Sequence, residues 1–246
     1  MNRYEHGVLT ELAQWKREMQ ARPGISSKLA MKMQGKLNSL IPEKVHVAIS
    51  AAIREMVKGV LTGATYISPP PLQHSSLETR EIKVLDTMQV YKNTGAAEGG
   101  IAGAGGFLLA LAEFPVLLAT KMKMLFDIAA HYGYDTRDYR ERLYLLHIFQ
   151  LAFSSQERRN NVFRETVNWN QKLETLPANI NEFEWRRFQQ EYRDYIDLAK
   201  IAQLVPVIGA AVGVVVNYRL MNKLGVTAMN CFRMRWEESG FTLYQS

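Results

Sequence analysis

This chain of 246 residues lacks most of the features by which a sequence declares a chemistry. It holds one cysteine, Cys231, which excludes an internal disulfide framework and a cysteine-built zinc site. That usage suits a reducing compartment. No apolar core follows the charged opening from Met1 to His6, so no secretory signal is expected. There is no G-x-x-x-x-G-K-[ST] loop, no H-E-x-x-H and no G-x-S-x-G. Strand-like alternation of apolar and polar residues is nearly missing, as are fixed-period repeats and low-complexity tracts. Basic residues exceed acidic ones, 30 against 24, but no long basic block concentrates the net charge of +6. Nucleic acid is therefore not the expected partner. An ordinary solubilising surface and visits to anionic lipid both fit this balance.

What is present is helical. Val8, Leu12, Trp15 and Met19 recur at helical spacing until Pro23-Gly24. From Ser26-Ser27, Lys28, Lys32 and Lys36 recur at steps of four beside Leu29, Met33 and Leu37, the pattern of a basic amphipathic helix. Pro42 opens a third helix carrying Val45, Ile49, Ile53, Met56, Val57 and Val60. Ser68 and the prolines at 69–71 form a loop, and a further helix is predicted from Leu77 to Lys92. Residues 137–195 read as a polar, aromatic helical region, and a last helix runs through Asn217 and Tyr218 to about Trp236. The reading is one all-α domain over residues 1–246, a multi-helix bundle.

Two glycine-rich apolar segments stand out. The first runs from Gly95 through Gly106 into an apolar stretch ending at Ala119, with Glu113 as the one charge after Ile101. The second spans Ile201 to Val216. Gly99 and Gly103, and likewise Gly209 and Gly213, repeat at steps of four, which makes a flat helix face for close backbone approach. The two segments are expected to pack centrally against each other. A span needs roughly 20 apolar residues. A central carboxylate costs about 2.5–3.5 kcal/mol, while each Leu, Ile or Phe returns about 0.3–0.6 kcal/mol. With Glu113 and Pro115 in the first run, and Gln203 and Pro206 in the second, buried core or conditional membrane association is favoured over two stable spans. The mean hydropathy of −0.18 agrees.

Several pieces in this order carry a resemblance: Ile41-Pro42-Glu43-Lys44-Val45-His46, the glycine run 95–106 with Glu113-Phe114-Pro115, Tyr132-Gly133-Tyr134-Asp135, and residues 205–213 followed by Asn217-Tyr218. From about residue 5 to residue 237 the chain resembles the EcsC family, named after a protein encoded beside an ABC transporter. The resemblance implies a helical protein of the cytoplasm and transfers no catalytic residues.

Two constellations could carry chemistry. At 100° per residue, Glu113, Thr120, Asp127 and His131 fall within about 40° of one another if their helix starts early. If Pro115 begins the helix, Glu113 becomes an anion at its N-terminus. Asp127 and His131, one turn apart, read either as a helix-end pair or as a proton relay or ligand pair. Glu98, set among small residues, needs a partner such as Asn217, Arg219 or His131. Glu98, Glu113, Asp127 and His131 together define a hydrolase-type alternative, an acid–histidine site. No cofactor and no metal site are expected. The leading expectation is a lipid-contacting accessory protein at the cytoplasmic face, touching lipid or a transporter-type membrane protein. Lys28, Lys32 and Lys36, with Trp185, Arg186 and Arg187, are the expected contacts. A soluble interaction scaffold is the third reading.

Overall fold

The computed structural model describes residues 1–21, 43–63, 66–104, 106–177, 179–183 and 210–240. Every regular element among them is helical: α1 (Arg3–Gln20), α2 (Glu43–Thr62), α3 (Leu77–Ala104), α4 (Gly106–His131), α5 (Tyr139–Phe153), α6 (Gln156–Thr166), α7 (Trp169–Thr175), a 3-10 turn (Ile180–Glu182) and α8 (Ala210–Glu238).

Local chemistry sets several of the ends. Asn2 caps α1 by accepting from the Glu5 amide while the Glu5 side chain accepts from the Asn2 amide, a reciprocal capping box. Asp138 and Ser155 cap α5 and α6 through their side-chain oxygens. Gly133 takes a left-handed φ of 91° just past α4, where a Cβ would crowd the Leu72 carbonyl oxygen at 3.0 Å. That is a glycine stop of the ordinary kind. Pro69, Pro70 and Pro71 lie in the irregular stretch 66–76, outside any helix.

One boundary differs from expectation and another decides between two alternatives. α3 does not end near Lys92 but continues through Gly95, Gly99, Gly100 and Gly103 to Ala104. Each glycine costs a helix up to about 1 kcal/mol, so packing must hold this stretch. α4 begins at Gly106 and carries Pro115 inside it, which settles the early start and places Glu113 within the helix rather than at its end.

α3 is the organising element. Its most extensive contact is with α8, the next with α4, and it runs antiparallel to both. α2 packs on α4 and α5, while α1 lies over α6 and α8. Val8, Leu12 and Trp15 of α1 and Ile49, Ile53, Met56, Val57 and Val60 of α2 face inward as their spacing requires. α5 buries thirteen of its fifteen residues, so it is enclosed on all sides despite its charges. Those charges are matched: Arg235 of α8 grips Glu141 with two guanidinium nitrogens at 2.5 and 3.0 Å. Arg142 donates to the carbonyls of Leu61, Thr136 and Arg137, closing the end of α2.

Candidate functional site

The inner faces of α3 and α4 meet through polar rungs. Thr87 Oγ1 and His131 Nε2 lie 2.9 Å apart. Tyr91 donates its hydroxyl to Asp127 Oδ2 at 2.7 Å. Thr120 donates to Glu98 Oε1 at 2.7 Å. The rungs step four and then seven residues along α3 and retreat by the same steps along α4. That is the register of a straight antiparallel hairpin with one face of each helix turned inward. Lys123 pairs with Asp127 one turn away. Burial holds the His131 imidazole below its usual pKa, with Lys83 and Lys123 adding to the effect and Asp127 opposing it. Burial and the Asp127 carboxylate push the Tyr91 hydroxyl up.

One residue past Thr120, Lys121 turns toward α8 instead. Its side chain is fully buried, and Nζ donates to Asn217 Oδ1 at 3.0 Å and to the Leu117 carbonyl at 3.3 Å. Asn217, also fully buried, reaches back to the Gly213 carbonyl at 3.5 Å. Burial lowers the Lys121 pKa to about 8, and the Glu98 charge opposes the shift. An ammonium has three hydrogens to give. Among the described residues Lys121 has two acceptors, and the buried Glu98 Oε2 has no hydrogen-bond partner. Thr120 and Lys121 thus tie α4 to α3 and to α8 from neighbouring positions.

Glycine allows this junction to close. A Cβ on Gly99 would stand 2.5 Å from the Gly213 carbonyl oxygen and 2.5 Å from Asn217 Nδ2. Gly95 and Gly225 similarly accept the side chains of Met221 and Met88.

The outer surface near this junction is apolar. Ile101 is 64% exposed, Val214 38%, Val215 48% and Tyr218 37%. Ala211, Arg219, Asn222, Lys223 and Val226 continue the outward face of α8, with Ala97, Asn93 and Val90 exposed on α3. No acidic residue occurs in α8 before Glu237. The Lys92 ammonium lies 5.3 Å from the centre of the Tyr218 ring.

Of the four expected catalytic groups, Glu98 and Asp127 are held on separate rungs, and Glu98 takes Thr120 rather than Asn217, Arg219 or His131. His131 faces Thr87, not Asp127. Thr120, Asp127 and His131 share the face of α4 turned to α3, but eighteen residues of helix separate Glu113 from His131, about 27 Å at 1.5 Å per residue, so the acids and the histidine do not gather into one site. Among the described residues no three His, Cys, Asp or Glu converge as a metal would need. Lys28, Lys32, Lys36, Trp185, Arg186, Arg187 and Gly209 lie outside the described residues, and Gly103 sits on α3 where its surroundings are not described. An open groove of about 750 Å³ between the end of α1, α6 and α7, lined by Asn160, Phe163, Arg164, Gln171 and Lys172, collects none of the expected residues.

Lys121, Lys92 and Tyr218 were missed by sequence reasoning. A lysine just past an apolar run reads as a flank rather than as interior, and the Lys92–Tyr218 pairing has no local signature.

These features define an all-helical protein whose α3–α4 hairpin is laced by polar rungs and sealed against a glycine-threaded helix. The chain belongs to the EcsC protein family, whose profile matches residues 6–236. It is 38% identical over 229 residues to Protein EcsC of Bacillus subtilis (strain 168), covering 93% of this chain and 94% of that protein. It is 25% identical over 250 aligned positions to Uncharacterized protein YdbA of the same strain, covering 94% and 92% respectively. No solved structure matches the chain.

Proposed function

We propose that this protein is a lipid-contacting accessory protein at the cytoplasmic face of a membrane, docking through the outward face of α8 and the adjoining end of the α3–α4 hairpin. The observation that carries this reading is the exposed face from Ala211 to Val226, which is apolar and basic and holds no acid. Such a face suits the boundary between headgroups and acyl chains. Burying a Val or Ile side chain contributes about 1.5–3 kcal/mol when complete, and each Lys or Arg near an anionic surface adds about 1 kcal/mol. Ile101, Val214 and Val215 with two or three cations therefore support reversible docking rather than spanning. In keeping with this, no helix among the described residues is long and apolar enough to cross a membrane. The hydrolase reading finds no gathered acid–histidine site among those residues to support it.

The test is flotation of the purified protein with liposomes containing anionic lipid, at low and high salt. Flotation that weakens with salt, and a further loss of about tenfold or more on Val214→Asp, is expected. Failure to float under any condition rules the reading out.

A further inference from the structure

The exposed surface shared by α3 and α8 is banded along the helix axes. Ile101 and Ala104 of α3 and Ala211, Val214 and Val215 of α8 form an uncharged band at one end. One helical turn further along α8, about 5.4 Å, come Tyr218 and Arg219, and Lys92 of α3 meets Tyr218 there. At this level an aromatic ring and two cations border the apolar band, and single exposed valines resume beyond it at Val90 of α3 and Val226 of α8. Tyrosine with lysine or arginine at such a border is what the headgroup layer of a bilayer selects, because the ring body is apolar and the polar tips reach water.

The cations at this border are uncommitted. Among the described residues neither Lys92 nor Arg219 makes an ion pair, a state that Arg3, Lys58 and Lys83 share; what sets the two apart is their place beside the exposed apolar band. Lys92 rests on the face of Tyr218, an arrangement that places the ammonium while leaving its charge unneutralised. The acid closest along α3 on the apolar side, Glu98, is turned to Thr120 on the inner face of the hairpin. Positive charge without a counter-charge, beside exposed valines, complements one surface: phosphate above hydrocarbon.

We propose that Lys92, Tyr218 and Arg219 form a headgroup site that takes the phosphate of an anionic phospholipid while Ile101, Val214 and Val215 enter the acyl layer. The site rests on the lipid-docking reading above and names the lipid class that this reading leaves open. Arg219 and Lys92 supply charge to the phosphate oxygens, and the Tyr218 hydroxyl supplies a hydrogen bond at the same depth.

The full chain is floated with vesicles of phosphatidylcholine alone and of phosphatidylcholine mixed with phosphatidylglycerol. Wild type is compared with Lys92→Gln/Arg219→Gln and with Val214→Ser/Val215→Ser, each checked by circular dichroism for an unchanged helical signal. The charge variant is expected to lose about tenfold or more in partitioning to the anionic vesicles, with a flatter salt dependence and unchanged weak binding to neutral ones. The valine variant is expected to lose binding to both. If the charge variant binds anionic vesicles as wild type does, or loses binding equally to both kinds, the headgroup site is wrong while docking by the apolar face stands. Competition by inorganic phosphate at the headgroup concentration overturns the lipid as the source of the phosphate. Wild type that floats with neither vesicle overturns the site and the docking reading together.

Discussion

At the residue scale, Lys121 is the most informative side chain. Its sequence neighbourhood, Ala119-Thr120-Lys121-Met122-Lys123, offers two lysines that look alike. One is half-exposed and paired with Asp127, and the other is fully buried against Asn217. Which of the two turns inward depends on how far α4 is rotated about its axis, and that is set by its neighbours. The buried position has a measurable consequence. The folded pKa of about 8 lies below the ordinary lysine value of 10.5, so between these values the unfolded chain holds a proton that the folded chain does not. Stability from this group therefore rises as pH increases from about 8 toward 10, by up to about 3 kcal/mol. Titration of Cys231 and of the buried tyrosines opposes the rise above about pH 9, so the wild type must be compared with Lys121→Met, which shares them. Urea unfolding at several pH values should show the stability difference shifting toward wild type across that window. A difference flat with pH would mean that Lys121 is not held in the interior.

At the scale of the element, α3 shows how tertiary contact overrides local preference. A glycine run argues against a helix, and the sequence reading ends this helix near Lys92. The structure carries it to Ala104, because the missing Cβ atoms let α8 approach until Gly99 faces the Gly213 carbonyl. Two alanine substitutions should therefore have opposite signs. Gly99→Ala gains about 1 kcal/mol of helix propensity but forces two backbones apart, a strain of about 1–3 kcal/mol or more, and is expected to destabilise. Gly7→Ala, in α1 with nothing within 4 Å of the new Cβ, is expected to stabilise by up to about 1 kcal/mol. Thermal melts of the two variants check the pair. A raised melting temperature for Gly99→Ala would contradict the close approach.

Across the whole molecule, a buried ionic knot joins four parts of the chain. Arg233 of α8 grips Glu81 of α3 with two bonds of 2.7 Å and reaches Glu11 of α1 at 2.9 Å. Tyr4 of α1 and Tyr132, just past α4, donate to the same Glu81 carboxylate at 2.6 and 2.9 Å. Removing one partner strands a charge in the interior. Arg233→Met is expected to cost about 3–5 kcal/mol, and adding Glu81→Leu should recover part of that loss. Chemical denaturation of the single and double variants measures the recovery. If the double variant is less stable than Arg233→Met alone by a full additive increment, the knot does not act as a unit.

The all-helical fold was legible in the sequence because helical periodicity, caps and proline breaks are local properties, written within a few turns of chain. The stripe of Thr120, Asp127 and His131 was legible for the same reason, since a face of one helix follows from spacing alone. The tertiary structure decided which face meets which. Glu98 takes Thr120, Lys121 takes Asn217 across ninety-six positions of sequence, and Lys92 lies on Tyr218. No local pattern encodes such pairings. They follow from the rotation and separation of whole helices, which the summed packing of the core sets and no single residue controls.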